Sequence, residues 1–116
     1  LSREVLTAKR NGVASRQMRD AVMVARQRQD FRFRGTGILD NSSIAGTAMD
    51  EFCALDRQSM LFMEQALRAK HLSARSYDRI LRVARTIADL ADRENITDAD
   101  LCEACQYRCL EQNRTQ

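Results

Sequence analysis

The sequence predicts an all-α domain, a bundle of four main helices with short pieces and one long Gly/Ser loop, and three observations predict it. Apolar residues recur at three- and four-residue intervals in four stretches, each stretch opens on a Ser, Thr or Asp suited to cap a helix, and the chain contains no proline. Apolar residues make up 44% and charged residues 30% of the 116 positions, which argues against disorder and against a turn-rich β framework. That length fits a single domain, residues 1–116, around one modest core.

The first main helix is expected from about Ser15 to Asp30 in "SRQMRDAVMVARQRQD". Val13, Met18, Val22, Ala25 and Met23 fall at helical spacing, and Ser15 is the candidate cap. A short helical or irregular piece, "LSREVLTAKR", precedes it and is expected to stop at Asn11-Gly12. "GTGILDNSSIAGT" concentrates three of the four glycines and reads as the long loop, a hinge candidate. After a short turn from Thr47, Asp56 is placed to cap "RQSMLFMEQALRAKH", where Met60, Met63 and Leu67 repeat.

Ser73 caps the most strongly patterned helix, "ARSYDRILRVARTIADLAD". Tyr77, Ile80, Leu81, Ala84, Ile87, Ala88 and Ala91 share a face that Val83 and Leu90 widen, so this helix is expected at the centre. Thr97 with Asp100 three residues later starts the last helix through "DADLCEACQYRCLEQ" in the manner of a capping box.

Three of the four cysteines, Cys102, Cys105 and Cys109, lie in that last helix. With Leu101 they occupy an arc of roughly 100°, the width of a core stripe, while Cys102 and Cys109 stand about 10.5 Å apart along the axis. Sulfurs about 2.3 Å from a zinc ion cannot converge from one straight helix. A metal site would require the helix to break and Cys53 or His71 to complete the shell; no metal is expected, and the thiols read as core residues. A redox pair of Cys102 and Cys105 lacks the βαβ context such pairs use. The thiols and the absence of any apolar stretch of about 20 residues or of a signal-peptide core point to a cytoplasmic protein that spans no membrane. The chain opens on Leu1 rather than methionine, so a piece of a longer protein is expected.

Charge is uneven. Residues 1–34 carry a formal +6 and the remainder −3. Such a basic segment is a solvated helix face, a nucleic-acid face or a surface against a neighbouring domain, and Arg16, Arg19 and Arg26 are its candidate contacts. The more specific feature is Arg75. Two residues after the cap, it sits among the unpaired N–H groups and positive end of the helix dipole, where a cation is unfavourable and an anion favoured. Arg75, Arg79 and Arg82, at i, i+4 and i+7, form a stripe opposite the apolar face; the plain alternative is a solvent face on which Asp78 pairs with Arg82.

Leu72-Ser73-Ala74-Arg75, Tyr77, Arg79-Ile80-Leu81 and Val83 through Leu90 resemble the C-terminal domain of magnesium chelatase-like AAA+ ATPases of the ComM/YifB branch. Ser15, Arg19, Val22, Ala25-Arg26 and Gln29 upstream, with Glu103-Ala104 and Gln106-Tyr107-Arg108 downstream, extend the resemblance over most of residues 15–110. It implies a helical lid that follows the nucleotide-binding core, with Arg75 as the sensor 2 arginine reaching the γ-phosphate of ATP. It also implies ATP and Mg²⁺ in the full-length protein, an AAA+ core and neighbouring subunits as partners, and a hexameric motor acting on DNA in branch migration, recombination or transformation. It gives the cysteines no role; Cys105 stands where an aliphatic residue is usual. The chain itself has no G-x-x-x-x-G-K-[ST] phosphate loop, so these residues alone make no ATPase. A stand-alone DNA-binding module built on the basic first helix is the alternative.

Overall fold

The computed structural model describes the backbone of residues 3–115 and the side chains of residues 15–107. These residues form α1 (Arg3–Arg32), a 3-10 turn (Asn41–Ser43), α2 (Thr47–Phe52), α3 (Arg57–Ala69), α4 (Ala74–Leu90) and α5 (Asp98–Thr115). The all-α architecture is the expected one. No strand occurs among the described residues.

Three of the long helices begin where capping chemistry dictates. The Asp56 carboxylate accepts from the Ser59 amide at 2.7 Å, and these hydrogen bonds from Ser59 hold its pKa below the usual value. Ser73 Oγ accepts from the Ser76 amide at 3.1 Å. Thr97 and Asp100 close a reciprocal box: the Thr97 amide donates to Asp100 Oδ2 at 2.9 Å, and the Asp100 amide donates to Thr97 Oγ1 at 3.3 Å. Both α3 and α4 stop without glycine, on His71 (φ 52°) and Asp92 (φ 57°). The next amides close the ends, Leu72 onto the Leu67 carbonyl at 3.1 Å and Arg93 onto the Ala88 carbonyl at 2.9 Å, satisfying carbonyls the helix leaves open.

The first helix departs from expectation. It runs unbroken through Asn11, Gly12 and Ser15, so neither the stop nor the cap is used. A glycine inside a helix costs about 1 kcal/mol relative to alanine, which helix-forming neighbours on both sides can absorb. Its apolar stripe is also largely uncovered: Met18 is 69%, Met23 61% and Val22 38% exposed, while Ala25 is buried. α1 meets α4, and the exposure pattern shows that burial starts only near Ala25. Val13 lies outside the residues with described side chains.

α4 is central, packed against α1, α5 and the 3-10 turn. Ile80, Leu81, Ala84 and Ala88 are buried in it, with Tyr77, Val83 and Ile87 half-buried against the same core. Leu90 and Ala91 lie exposed at its end, contrary to expectation, because the chain turns away there. On α3 the buried positions are Ser59 and Met63, whereas Met60 is exposed. The stripe is displaced because the Ser59 hydroxyl donates to Asp98, drawing that turn toward α5.

The loop is not a bare hinge. Asn41 and Ile44 are 2% and 0% exposed, and both are fastened to α4. Gly35 and Gly37, at φ 80° and 82°, turn the chain back after α1.

What fixes α1, the loop and α4 together is Asp89, which has no exposed surface. Arg32 donates to both its oxygens, Nη2 at 2.6 Å and Nη1 at 2.9 Å. Asn41 Nδ2 donates at 2.8 Å, and Arg85 Nη2, one turn earlier on α4, pairs at 3.2 Å. Asp89→Asn removes the charge but leaves Arg32 and Arg85 largely buried. Such uncompensated burial costs about 3 kcal/mol, so denaturant unfolding should show a loss of that size with the slope unchanged.

Candidate functional site

The sequence-level candidate, Arg75, is exposed in the first turn of α4 and makes no hydrogen bond or ion pair with the described residues. Arg75, Arg79 and Arg82 come together with Ser42, Val83 and Thr86 around a groove of about 430 Å³ between α4 and the 3-10 turn. The helical spacing therefore becomes a concave surface rather than a flat solvent face. Among the described residues no carboxylate lines it. Arg82 does not rely on Asp78; its Nη1 donates to the Ile44 carbonyl at 3.1 Å.

The wall facing α4 is itself fixed. Asn41 Nδ2 donates to Thr86 Oγ1 at 3.1 Å as well as to Asp89, and the Asn41 amide donates to Gln29 Oε1 at 2.9 Å. Asp40 accepts from the Ser42 amide at 3.0 Å, shaping the turn. Sequence patterning missed Ser42 and Thr86. Ser42 reaches the groove only by a tertiary contact, and Thr86 hides among ordinary helix residues; the i, i+4, i+7 arginines were the one local signal.

A second depression, about 620 Å³, lies among α1, the end of α2 and the α4–α5 turn. Its arginines are matched by acids: Arg28, Arg32 and Arg85 stand beside Glu51, Asp92 and Glu94. Arg28 Nε donates to Asp92 Oδ1 at 2.8 Å. Arg85 is 5% exposed and its Nε lacks a hydrogen-bond partner, although its Nη2 donates to the Arg93 carbonyl at 3.1 Å. Burial lowers the Arg85 pKa, while Asp89 opposes that shift. The described lining of this depression is charge-balanced, whereas that of the α4 groove carries arginines and no acid.

Among the other candidates, Arg16, Arg19 and Arg26 are exposed on α1. The remaining basic residues of that run are partly engaged: Arg28 and Arg32 pair within the domain, and Arg34 lies 5.7 Å over the Phe31 ring. The cysteines divide. Cys105 is buried among Leu101 and Ala104, Cys102 faces outward, and Cys53 is buried after α2. Cys102 thus departs from the expected core stripe, because the buried arc of α5 centres on Leu101, Ala104 and Cys105. Cys109 lies outside the residues with described side chains. No group of three His, Cys, Asp or Glu side chains close enough to hold a metal occurs among the described residues.

Residues 12–108 match the family model described as magnesium chelatase, subunit ChlI C-terminal. The chain belongs to this family. It is 36% identical over 99 residues to competence protein ComM of Haemophilus influenzae, covering 85% of this chain and 19% of that protein. It is 35% identical over 100 residues to the uncharacterized protein YifB of Escherichia coli, covering 86% of this chain and 19% of that protein. An uncharacterized Mycobacterium tuberculosis protein matches at 32% over 98 residues, 84% of this chain and 20% of its own length. The chain therefore spans about one fifth of the curated relatives it matches. No solved structure matches it. No described helix is long and apolar enough to cross a membrane.

The two best-defined thiols should react differently. Burial pushes the Cys53 thiol up to about 11 from its ordinary 9.0, with Arg85, Arg32 and Arg82 opposing. Iodoacetamide at pH 8 should label Cys102 in the native protein and spare Cys53, as read by peptide mass spectrometry. Because folding favours the neutral Cys53 thiol, its contribution to stability is complete below pH 9.0 and should fall as pH rises toward about 11.

Proposed function

We propose that this domain is the helical lid of a magnesium chelatase-like AAA+ ATPase and that Arg75 is its sensor 2 arginine, meeting the γ-phosphate of ATP bound by the core. The observation that carries this reading is the groove at the start of α4, where three arginines converge and Arg75 is exposed with no partner among the described residues. An arginine wall suits phosphate, because the guanidinium presents several N–H donors in a planar fork and remains charged at all working pH values. The described lining of the groove consists of arginines, hydroxyls and Val83, which suit phosphate oxygens rather than Mg²⁺; the proposed lid leaves the metal to the core. When bound there, Mg²⁺ would neutralise charge on the phosphates.

Arg75 holds positive charge where negative charge develops during phosphoryl transfer. A preformed charge in a closing site stabilises the transition state more than the ground state. Lid closure would bring it there and link hydrolysis to movement between subunits. The exposure of Arg75 supports this role, since a residue awaiting a ligand from another domain has no reason to be paired within its own.

The sequence resemblance leads to the further proposal of a cytoplasmic, hexameric motor acting on DNA, in branch migration, recombination or transformation; of the relatives, only the name of the Haemophilus influenzae competence protein bears on it. The alternative of a stand-alone DNA-binding module retains exposed Arg16, Arg19 and Arg26, but Arg28 and Arg32 are committed to Asp92 and Asp89. Salt-dependent DNA binding by these 116 residues alone would favour that module.

In the full-length protein, Arg75→Ala should leave the melting temperature intact and reduce ATP turnover by about tenfold or more. Unchanged turnover would exclude the sensor role. ATP turnover by the assembled protein should also rise when duplex or branched DNA is added; indifference to every DNA tested would remove the DNA-motor reading while leaving the lid assignment in place.

A further inference from the structure

Arg82 lines the same groove as Arg75, but the two are held differently. Arg75 is exposed and unpaired among the described residues, whereas Arg82 is half-buried and donates one Nη1 hydrogen bond to the Ile44 carbonyl. A guanidinium carries five N–H donors, so one bond to a carbonyl orients the group without exhausting it. The carbonyl is a fixed point. Ile44 is 0% exposed and directly follows the 3-10 turn, whose Asn41 is tied to Asp89 and Thr86.

An arginine with its rotamer already constrained loses less conformational freedom on meeting a ligand than an unrestrained one. Its described neighbours in the groove include Arg75, which has no partner among the described residues, so an anion entering between them meets two guanidinium groups at once. Seven residues separate Arg82 from Arg75, about 10.5 Å along the helix axis. Two guanidinium groups rooted that far apart are suited to different phosphates of one chain.

We infer that Arg82 is a second phosphate-binding residue of this groove, positioned by the Ile44 carbonyl, and that it contributes to holding a nucleoside triphosphate. This inference rests on the nucleotide reading of the groove. Arg82 binds ground state and transition state alike, while Arg75 acts on the transferring phosphate. Occupation of the groove and ordering of residues 42–44 are thereby linked, since each favours the same orientation of Arg82.

The test compares Arg82→Gln, Arg82→Lys and Arg75→Ala in the full-length protein. For Arg82→Gln, KM for ATP should rise about tenfold while kcat changes less than about twofold, the signature of lost uniform binding. Arg82→Lys, which keeps the charge but not the fork, should fall between wild type and Gln. A purely structural Arg82 would instead give a lowered melting temperature with unchanged KM, which overturns the inference. Should the Gln variant not fold, the Lys variant and hydrogen exchange of the wild-type protein decide it. Saturating ATP should slow amide exchange at residues 42–44, and unchanged exchange there overturns the link. If Arg75→Ala lowers turnover but KM ignores Arg82, only this inference fails; if turnover ignores Arg75, the lid reading itself fails.

Discussion

A carboxylate with no exposed surface takes hydrogen bonds from three parts of the chain, and the position of the arginine groove depends on it. Asp89 receives both arms of Arg32 from α1, the amide of Asn41 from the loop and Arg85 from its own helix. Burying such charges is expensive, and a well-packed apolar cluster could supply similar stability. Its distinctive contribution is directional. A bidentate arginine–carboxylate pair fixes the rotation and register of α1 against α4, which apolar contact alone constrains more loosely.

From Asp89 the constraint passes to the groove through short polar links. Asn41 bonds both Asp89 and Thr86, which sets the 3-10 turn on α4; Ile44, just beyond it, presents its carbonyl to Arg82. The apolar core works alongside: Phe33 meets Phe52 edge-on with centroids 5.2 Å apart, joining the end of α1 to the end of α2. The loop is therefore a wall of the candidate site.

Local chemistry was legible in the sequence where it is self-contained. Asp56, Ser73 and the Thr97–Asp100 pair each act within one helical turn, and all three caps form as their residue types dictate. The centrality of α4 was legible from its broad apolar face. Asp89 and Arg85 were not, because charged residues on a helix ordinarily read as solvent-facing; the partners that hold Asp89 buried lie 48 and 57 positions away, and Arg85 is buried beside it. The same distance hides Ser42 from any local pattern. Asn11-Gly12 misled for the opposite reason: a local stop signal is weak, and a continuous helix overrode it. Cys102, one helical step from Leu101, illustrates how narrow a buried arc can be when a helix packs on one side.

Arg75 is in local conflict with its helix. A cation at a helix N-terminus opposes the macrodipole, typically by about 0.3–1 kcal/mol, and no described carboxylate offsets it. Ser73 already satisfies the Ser76 amide, so Arg75 is not needed as a cap. Nor does it pack in the core. A residue that weakens its own helix while every neighbouring cap and contact agrees with the fold marks a place where folding and binding demands diverge. In the proposed lid that divergence has a physical resolution: a phosphate supplied by another domain would sit where both the helix terminus and the arginine favour negative charge, turning a local penalty into two favourable interactions on closure.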